Sequence, residues 1–280
     1  MGNPVIAILA QGAMGAGVAA RLVTHGVRVL TCVEGRSAAS AARAAQAGME
    51  AVPETAFGQA DAFLSILPPD QATATAERLA PMLAAAEKPP LYVDCNAISP
   101  ETMRRVANLL GTHGLRVADA GIIGGPPREG YGGPVIYASG QEATGLAALL
   151  DRRGINLRVM DGPIGAASGL KMSYAGITKG LVAIGSAMML AATRAGAADA
   201  LRAELASSQP ALSAWFARMV PSMYGKAYRW AGEMEEIADF VREDDGAAAI
   251  YGGAARLYAR LADAGSETEV AALRAFLDGS

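Results

Sequence analysis

The sequence predicts an α/β chain in two parts: a doubly wound sheet domain over residues 1–162, then an all-helical domain over 163–280. Three observations carry this. A β-branched run, Val5-Ile-Ala-Ile-Leu9, leads straight into the glycine turn Gln11-Gly-Ala-Met-Gly15 and then a helical pattern. Short apolar runs go on alternating with helix-like stretches as far as Met160, the spacing of a parallel sheet covered on both faces. After Asp161-Gly-Pro163 the strand signals stop, and apolar residues recur with helical period from about residue 166 onward.

Residues 5–9 read as a buried parallel strand, and the helix after them closes at His25-Gly26. Strand, glycine turn and helix in that order are the context a dinucleotide-binding turn requires. Gly12 lets the backbone approach a pyrophosphate, and Gly15 permits close packing of helix on strand. With Ala13 and Met14 between them, the phosphates sit on the helix N-terminus. The first glycine of the usual pattern is Ala10 here, which a turn tolerates while its φ stays negative.

A second strand over 27–33 is followed by Glu34-Gly-Arg-Ser37. A carboxylate at that strand end accepts from the adenosine ribose hydroxyls and selects NAD, whereas an arginine with a serine holds a 2′-phosphate and selects NADP. Glu34 can turn to solvent while Arg36 and Ser37 open the next helix, so NADP is the expected cofactor, with NAD possible.

A strand over 61–67 ends in Pro68-Pro69-Asp70 before a helix to about residue 86. The strand 91–94 ends in Cys95-Asn-Ala-Ile-Ser-Pro100 before a helix over 101–112. Ligands of open α/β sheets bind beyond the carboxyl ends of strands, which turns Leu67, Pro68 and Asn96 toward the cofactor. A strand over 116–120 runs into Gly121-Ile-Ile-Gly-Gly125. A strand over 135–138, a helix over 141–153 and a strand over 155–160 complete the parallel sheet.

In the second part the longest helical run extends from about 166 to 193 and carries Lys171, Tyr174 and Thr178 on one face. Of the 24 basic residues only four are lysine: Lys88, Lys171, Lys179 and Lys226. Lysine can lose its proton near neutrality when partly buried and arginine cannot, so Lys171 beside Tyr174 is a candidate general acid/base. The alternative is a lysine that merely snorkels from a helix flank. Breaks are expected at Gly196, Ser207-Ser-Gln-Pro210, Pro221 and Gly246. Lys226, Trp230 and Glu233 share one face of a later helix. Glu233, with Glu235 and Glu236, reads as a solvated face or a partner for Arg229, and Trp230 as core or interface before substrate contact.

A net charge of -3 and a pI near 5.5 leave no electrostatic footprint for nucleic acid. Cys32 and Cys95, far apart and outside any CxxC, fit a reduced cytoplasmic protein. His25 and His113 each precede a glycine at a helix end, which reads as C-terminal capping, so no metal site can be assembled. The start lacks a basic segment and a long apolar run, and the most apolar stretch, 181–192, is too short to span a bilayer, so no membrane partner is expected.

With Gly12-Ala-Met-Gly15, Leu64-Ser-Ile-Leu-Pro-Pro69, Asp94-Cys-Asn-Ala-Ile-Ser-Pro100, Gly124-Gly125 and Lys171 in place, the chain resembles the β-hydroxyacid dehydrogenase superfamily, which includes 3-hydroxyisobutyrate and 6-phosphogluconate dehydrogenases. The resemblance covers nearly the whole length. The helical part looks like the branch with a C-terminal domain of unknown function. The resemblance implies a Rossmann domain, an NAD(P)-dependent oxidoreductase acting on a small-molecule substrate, and a homodimer formed through the helical domains. It makes Lys171 the residue that takes the hydroxyl proton as hydride leaves the same carbon. It places Lys226 near the nicotinamide, although the aspartate that normally follows is Ala227.

Three departures from the family pattern sit at the reacting end. The asparagine usual four residues after the lysine is Ala175, where Tyr174 can substitute. The serine of the Ser-Gly-Gly carboxylate clamp is Ile123, ahead of Gly124 and Gly125. The Ser-Thr pair is Asn96-Ala97. These point to a hydroxy acid or related secondary alcohol or carbonyl larger or less anionic than usual, with Trp230 a further substrate contact. Two alternatives remain open: an imine or ketone reductase on the same scaffold, and a cofactor-sensing binding protein with a decayed active site.

Overall fold

A computed structural model describes residues 3–128 and 130–279. Met1 and Gly2, on which the reading of the start partly rests, lie outside the described residues. The chain divides into two compact units, Met1–Lys171 and Met172–Ser280.

The first unit is built on one sheet of eight strands: β1 Val5–Leu9, β2 Arg28–Thr31, β3 Glu50–Ala51, β4 Ala62–Ser65, β5 Leu91–Asp94, β6 Val117–Ile123, β7 Val135–Ser139 and β8 Asn156–Val159. Their order across the sheet is β3-β2-β1-β4-β5-β6-β7-β8. Helices α1 Ala13–Thr24, α2 Ala38–Gln46, α3 Ala72–Ala84, α4 Pro100–Thr112 and α5 Ala143–Leu150 lie among them. Alternate residues of β1 serve opposite cores, as a two-residue period requires. Ile6 and Ile8 pack with Val18, Leu22 and Leu146 of α1 and α5. Ala7 and Leu9 pack with Leu79, Leu83 and Val106 of α3 and α4.

Chain order reverses between β1 and β4, so the crevice at their carboxyl ends is the place such a sheet offers a ligand. The expectation of a wholly parallel sheet is corrected at one pairing: β6 and β7 are antiparallel, with Gly121 opposite Tyr137. The physical reason is the connection. The described residues of 124–134 contain no helix, and without a crossover a strand returns antiparallel. The two-residue β3 was not expected. His25 and His113 do stand at the C-caps of α1 and α4.

A 29-residue helix, α6 Ala166–Arg194, begins in the first unit. The second unit continues it and adds α7 Ala198–Ser208, α8 Pro210–Met223, α9 Ala227–Phe240, α10 Asp245–Ala262 and α11 Glu267–Asp278. Two expected breaks move. Pro221 sits inside the last turn of α8. Gly246 lies in the first turn of α10, whose N-cap Asp244 accepts the Ala247 N–H at 3.0 Å. The bilayer reading is corrected as well, since α6 is long and apolar enough to cross a membrane, with half of its most apolar window buried in protein.

Glu233 overturns the solvated-face reading. It is buried and forms an ion pair with Lys179. The Lys179 ammonium also stands over the Trp230 ring, 5.1 Å from its centroid, and Trp230 meets Tyr258 edge-on. A carboxylate on a helix face otherwise lined by Met234 and Ile237 needs a partner fifty-four residues away, which no local spacing reveals.

Candidate active site

At the β1 carboxyl end, Gly12 is the N-cap of α1 with extended backbone (φ -70°, ψ 177°), and no side chain caps this helix. The first N–H groups of α1 are therefore open to an anion. A Cβ at Gly12 would meet nothing within 4 Å, whereas one at Gly15 would collide with the Ala10 carbonyl oxygen. Gly12 and Ala13 are exposed and Met14 is half-buried. Arg152 alone among the described non-glycine residues has positive φ, so Ala10 satisfies the condition set for it.

The neighbouring Gln11, Thr31 and Arg43 escaped sequence reasoning. Gln11 Nε2 donates to Thr31 Oγ1 at 2.5 Å and to the Cys32 carbonyl at 2.6 Å, tying the turn to the end of β2. Thr31 Oγ1 donates on to the Ile8 carbonyl at 2.8 Å. Arg43 Nε donates to the Gln11 carbonyl at 2.9 Å from the last turn of α2. Gln11 Oε1 is buried without a hydrogen-bond partner, a polar atom that a ligand hydroxyl or amide can satisfy. Beyond β2, Glu34, Arg36 and Ser37 are all exposed, and Ser37 caps α2 by accepting the Ser40 N–H at 3.2 Å. An uncapped helix start, an open Gly12 and this exposed polar corner fit a dinucleotide.

Asn96 ties the next two loops together. Its Oδ1 accepts the Leu67 N–H at 2.6 Å, and its Nδ2 donates to Ser65 Oγ at 2.9 Å and Asp94 Oδ2 at 3.0 Å. Leu67 is buried and Pro68 exposed. Burial pushes the Asp94 carboxyl up to about 7, against the pull of the Asn96 N–H and side-chain amide, with the charge of Asp119 pushing the same way as burial. The folded state thus keeps a proton that an unfolded Asp sheds near 3.8. This contribution to stability is full below that value and is lost as pH rises through the folded one. Asp94→Asn should remove that slope between about pH 4 and 7, read from unfolding midpoints; an unchanged slope would place the titration elsewhere.

Lys171 is half-buried on the first turns of α6. Gly121 of β6 lies beneath it: a Cβ there would come within 2.7 Å of the Ala167 carbonyl oxygen and 3.2 Å of Lys171 Cβ. Ile123 ends β6, and Gly124 follows with φ +125°. A Cβ on Gly124 would lie 2.7 Å from Tyr131 Oη, while Gly125 is open. Lys171, the Gly12 turn, Leu67, Asn96 and Gly124 belong to one unit, the loops standing at the carboxyl ends of parallel strands. Farther along α6, Tyr174 is 49% exposed and its carbonyl accepts from Thr178 Oγ1 at 2.8 Å. In the second unit Lys226 is the exposed N-cap of α9, and Trp230 is buried.

Residues 5–154 match the family described as the NAD binding domain of 6-phosphogluconate dehydrogenase, and residues 192–261 match a domain of unknown function, DUF1932. No protein of curated function matches the chain. Among solved structures it is similar to the conserved protein MTH1747 of unknown function, whose reported structure resembles 3-hydroxyacid dehydrogenases. That match has 27% identity over 95% of this chain and 99% of the other, with a TM-score of 0.70. The Mycobacterium tuberculosis 3-hydroxyisobutyrate dehydrogenase with L-serine matches at 22% identity, over 97% and 98% of the two chains, TM-score 0.73. The Streptomyces aurantiacus imine reductase matches at 19% identity, over 96% and 99%, TM-score 0.57. The chain belongs to the family of the 6-phosphogluconate dehydrogenase NAD-binding domain and is an NAD(P)-binding oxidoreductase of that kind.

Proposed function

We propose that the chain is an NADP-preferring oxidoreductase that interconverts a hydroxy acid, or a related secondary alcohol, with its carbonyl, using Lys171 as general acid/base. The observation that carries this reading is the placement of Lys171 over Gly121, in the same unit as the uncapped Gly12 turn. Gly12, Ala13, Met14 and the α1 N-terminus hold the pyrophosphate, Gly15 keeps that helix against β1, and Arg36 with Ser37 takes the 2′-phosphate. When bound, the nicotinamide supplies the hydride acceptor or donor. Lys171 holds the proton at the substrate oxygen, taking it during oxidation and returning it during reduction. Gly125, with open space where a side chain would stand, leaves room for the substrate, while Ile123 withholds the hydroxyl that would grip a small carboxylate.

Arg36 decides the cofactor. Arg36→Ala should weaken NADPH binding by about tenfold, the worth of one exposed charge-assisted contact, and leave NADH binding unchanged. NADH binding as tight as or tighter than NADPH binding, measured by nicotinamide fluorescence, would make Glu34 the ribose ligand instead.

The same reading includes a homodimer through the helical unit. Ile177, Ile184 and Met188 of α6 are 69%, 53% and 57% exposed, an apolar stripe along one side of the helix. A second copy of the chain presenting the same stripe is its partner. Ile184→Glu should convert the dimer to a monomer in light scattering, and a dimer that survives would place the interface on another face.

A further inference from the structure

A helix leaves its first N–H groups without intrahelical partners, and a neighbouring Ser, Thr or Asp usually takes one of them. The start of α6 is served from much farther away. Asp119 Oδ2 on β6 accepts the N–H of Gly165 at 2.8 Å, of Ala167 at 3.0 Å and of Ser168 at 3.1 Å. It also accepts Ser139 Oγ from β7 at 2.9 Å, while Ser168 Oγ donates to Oδ1 at 2.7 Å. The Ala167 N–H is shared with Ser139 Oγ at 3.0 Å. Asp119 is fully buried in a strand that reads Val-Ala-Asp-Ala-Gly-Ile-Ile. The strand does not need it, because β6 is already paired on both sides.

Two residues on, Gly121 is on the same face of β6, since strand side chains alternate. Asp119 meets residues 165–168, and Gly121 admits the Ala167 carbonyl and the β-carbon of Lys171. One contact pulls the helix start onto the strand, and the other lets the next turn lie flat. Together they fix both where α6 begins and how it is rotated.

We propose that Asp119 is a positioning residue whose carboxylate clamps the first turn of α6 to β6 and so sets where the Lys171 side chain stands. The consequence for catalysis rests on the Lys171 reading above; the clamp itself does not. Asparagine can keep the clamp, with its Oδ1 in the place of Oδ2 accepting the same four donors and its Nδ2 donating to Ser168 Oγ. Alanine removes every bond.

The test is trace acetylation of the full chain with acetic anhydride, comparing Lys171 with Lys88, whose side chain is 81% exposed. In Asp119→Ala the Lys171-to-Lys88 reactivity ratio should shift by about fivefold or more, the effect of losing roughly one net hydrogen bond in the lysine's placement. Asp119→Asn should stay within about twofold of wild type, a rescue that a general loss of stability would not produce. Ser168→Ala removes one bond of the clamp and should move the ratio the same way by less. A ratio unchanged in Asp119→Ala, or in Ser168→Ala where the former does not fold, overturns the proposal; so does an Asp119→Asn shift as large as alanine's. Hydride transfer by Lys171→Ala reports on the functional reading separately, because acetylation needs no turnover.

Discussion

Lys171→Ala should lower hydride transfer by about 10²- to 10⁴-fold, the range for removing a positioned general acid/base, while NADPH binding stays within about twofold of wild type. Lys171 stands on α6 over Gly121, whereas the phosphates are proposed to bind at the Gly12 turn, so chemistry and cofactor affinity should separate. The assay is gain of NADPH absorbance from NADP+ with a panel of hydroxy acids, and loss of NADPH absorbance with a panel of ketones and imines. Tyr174→Phe run beside it distinguishes the two enzyme readings. Tyr174 is half exposed one turn farther along the helix, so its hydroxyl is free to meet a ligand, and the imine reductase reading would make it the proton donor. A large loss in Lys171→Ala with a small loss in Tyr174→Phe supports the hydroxy acid reading, and the reverse supports the imine reading. If neither variant changes a measurable rate, the proton comes from another group.

The second large effect separates two glycines three residues apart. At Gly12 an added Cβ meets only open space, so Gly12→Ala should leave the thermal midpoint unchanged. It should nevertheless weaken NADPH binding by about tenfold or more, because the methyl occupies the approach of the pyrophosphate to the backbone. At Gly15 the Cβ collides with a backbone carbonyl, which cannot rotate aside as a side chain can. Gly15→Ala should therefore cost about 1–3 kcal/mol of stability as well as cofactor affinity. In a chain of this size that lowers the midpoint by about 2–4 °C for each kcal/mol. The pattern to look for is binding lost in both variants and stability lost in only one. A Gly12→Ala protein that binds NADPH normally would remove the turn from the cofactor site.

The parts legible in the sequence were those encoded by neighbours in the chain. The run from Val5 to Gly15 states its own strand, turn and helix, and the alternation of short apolar runs with helices gives the sheet. Period alone, however, does not reveal strand direction. The reversal at β7 depends on what the 124–134 connection lacks, and that segment reads as a glycine- and proline-rich loop in either case. Long-range polar pairings were hidden for a related reason. Glu233 looks like its exposed neighbour Glu235 until Lys179 is brought against it by folding. Asp119 did carry a signal: a carboxylate in an otherwise apolar strand implies buried donors, though their source at residues 165–168 appears only in three dimensions. Gln11 and Arg43 act through a side-chain amide and a backbone carbonyl respectively, and no spacing rule connects positions 11, 31 and 43.

Titration of the purified protein with NADPH and with NADH, followed by nicotinamide fluorescence, tests the central claim most directly. Saturable binding of both, tighter for NADPH, is the predicted result, and it should weaken in Gly12→Ala. Absence of saturable binding by either cofactor would contradict the account.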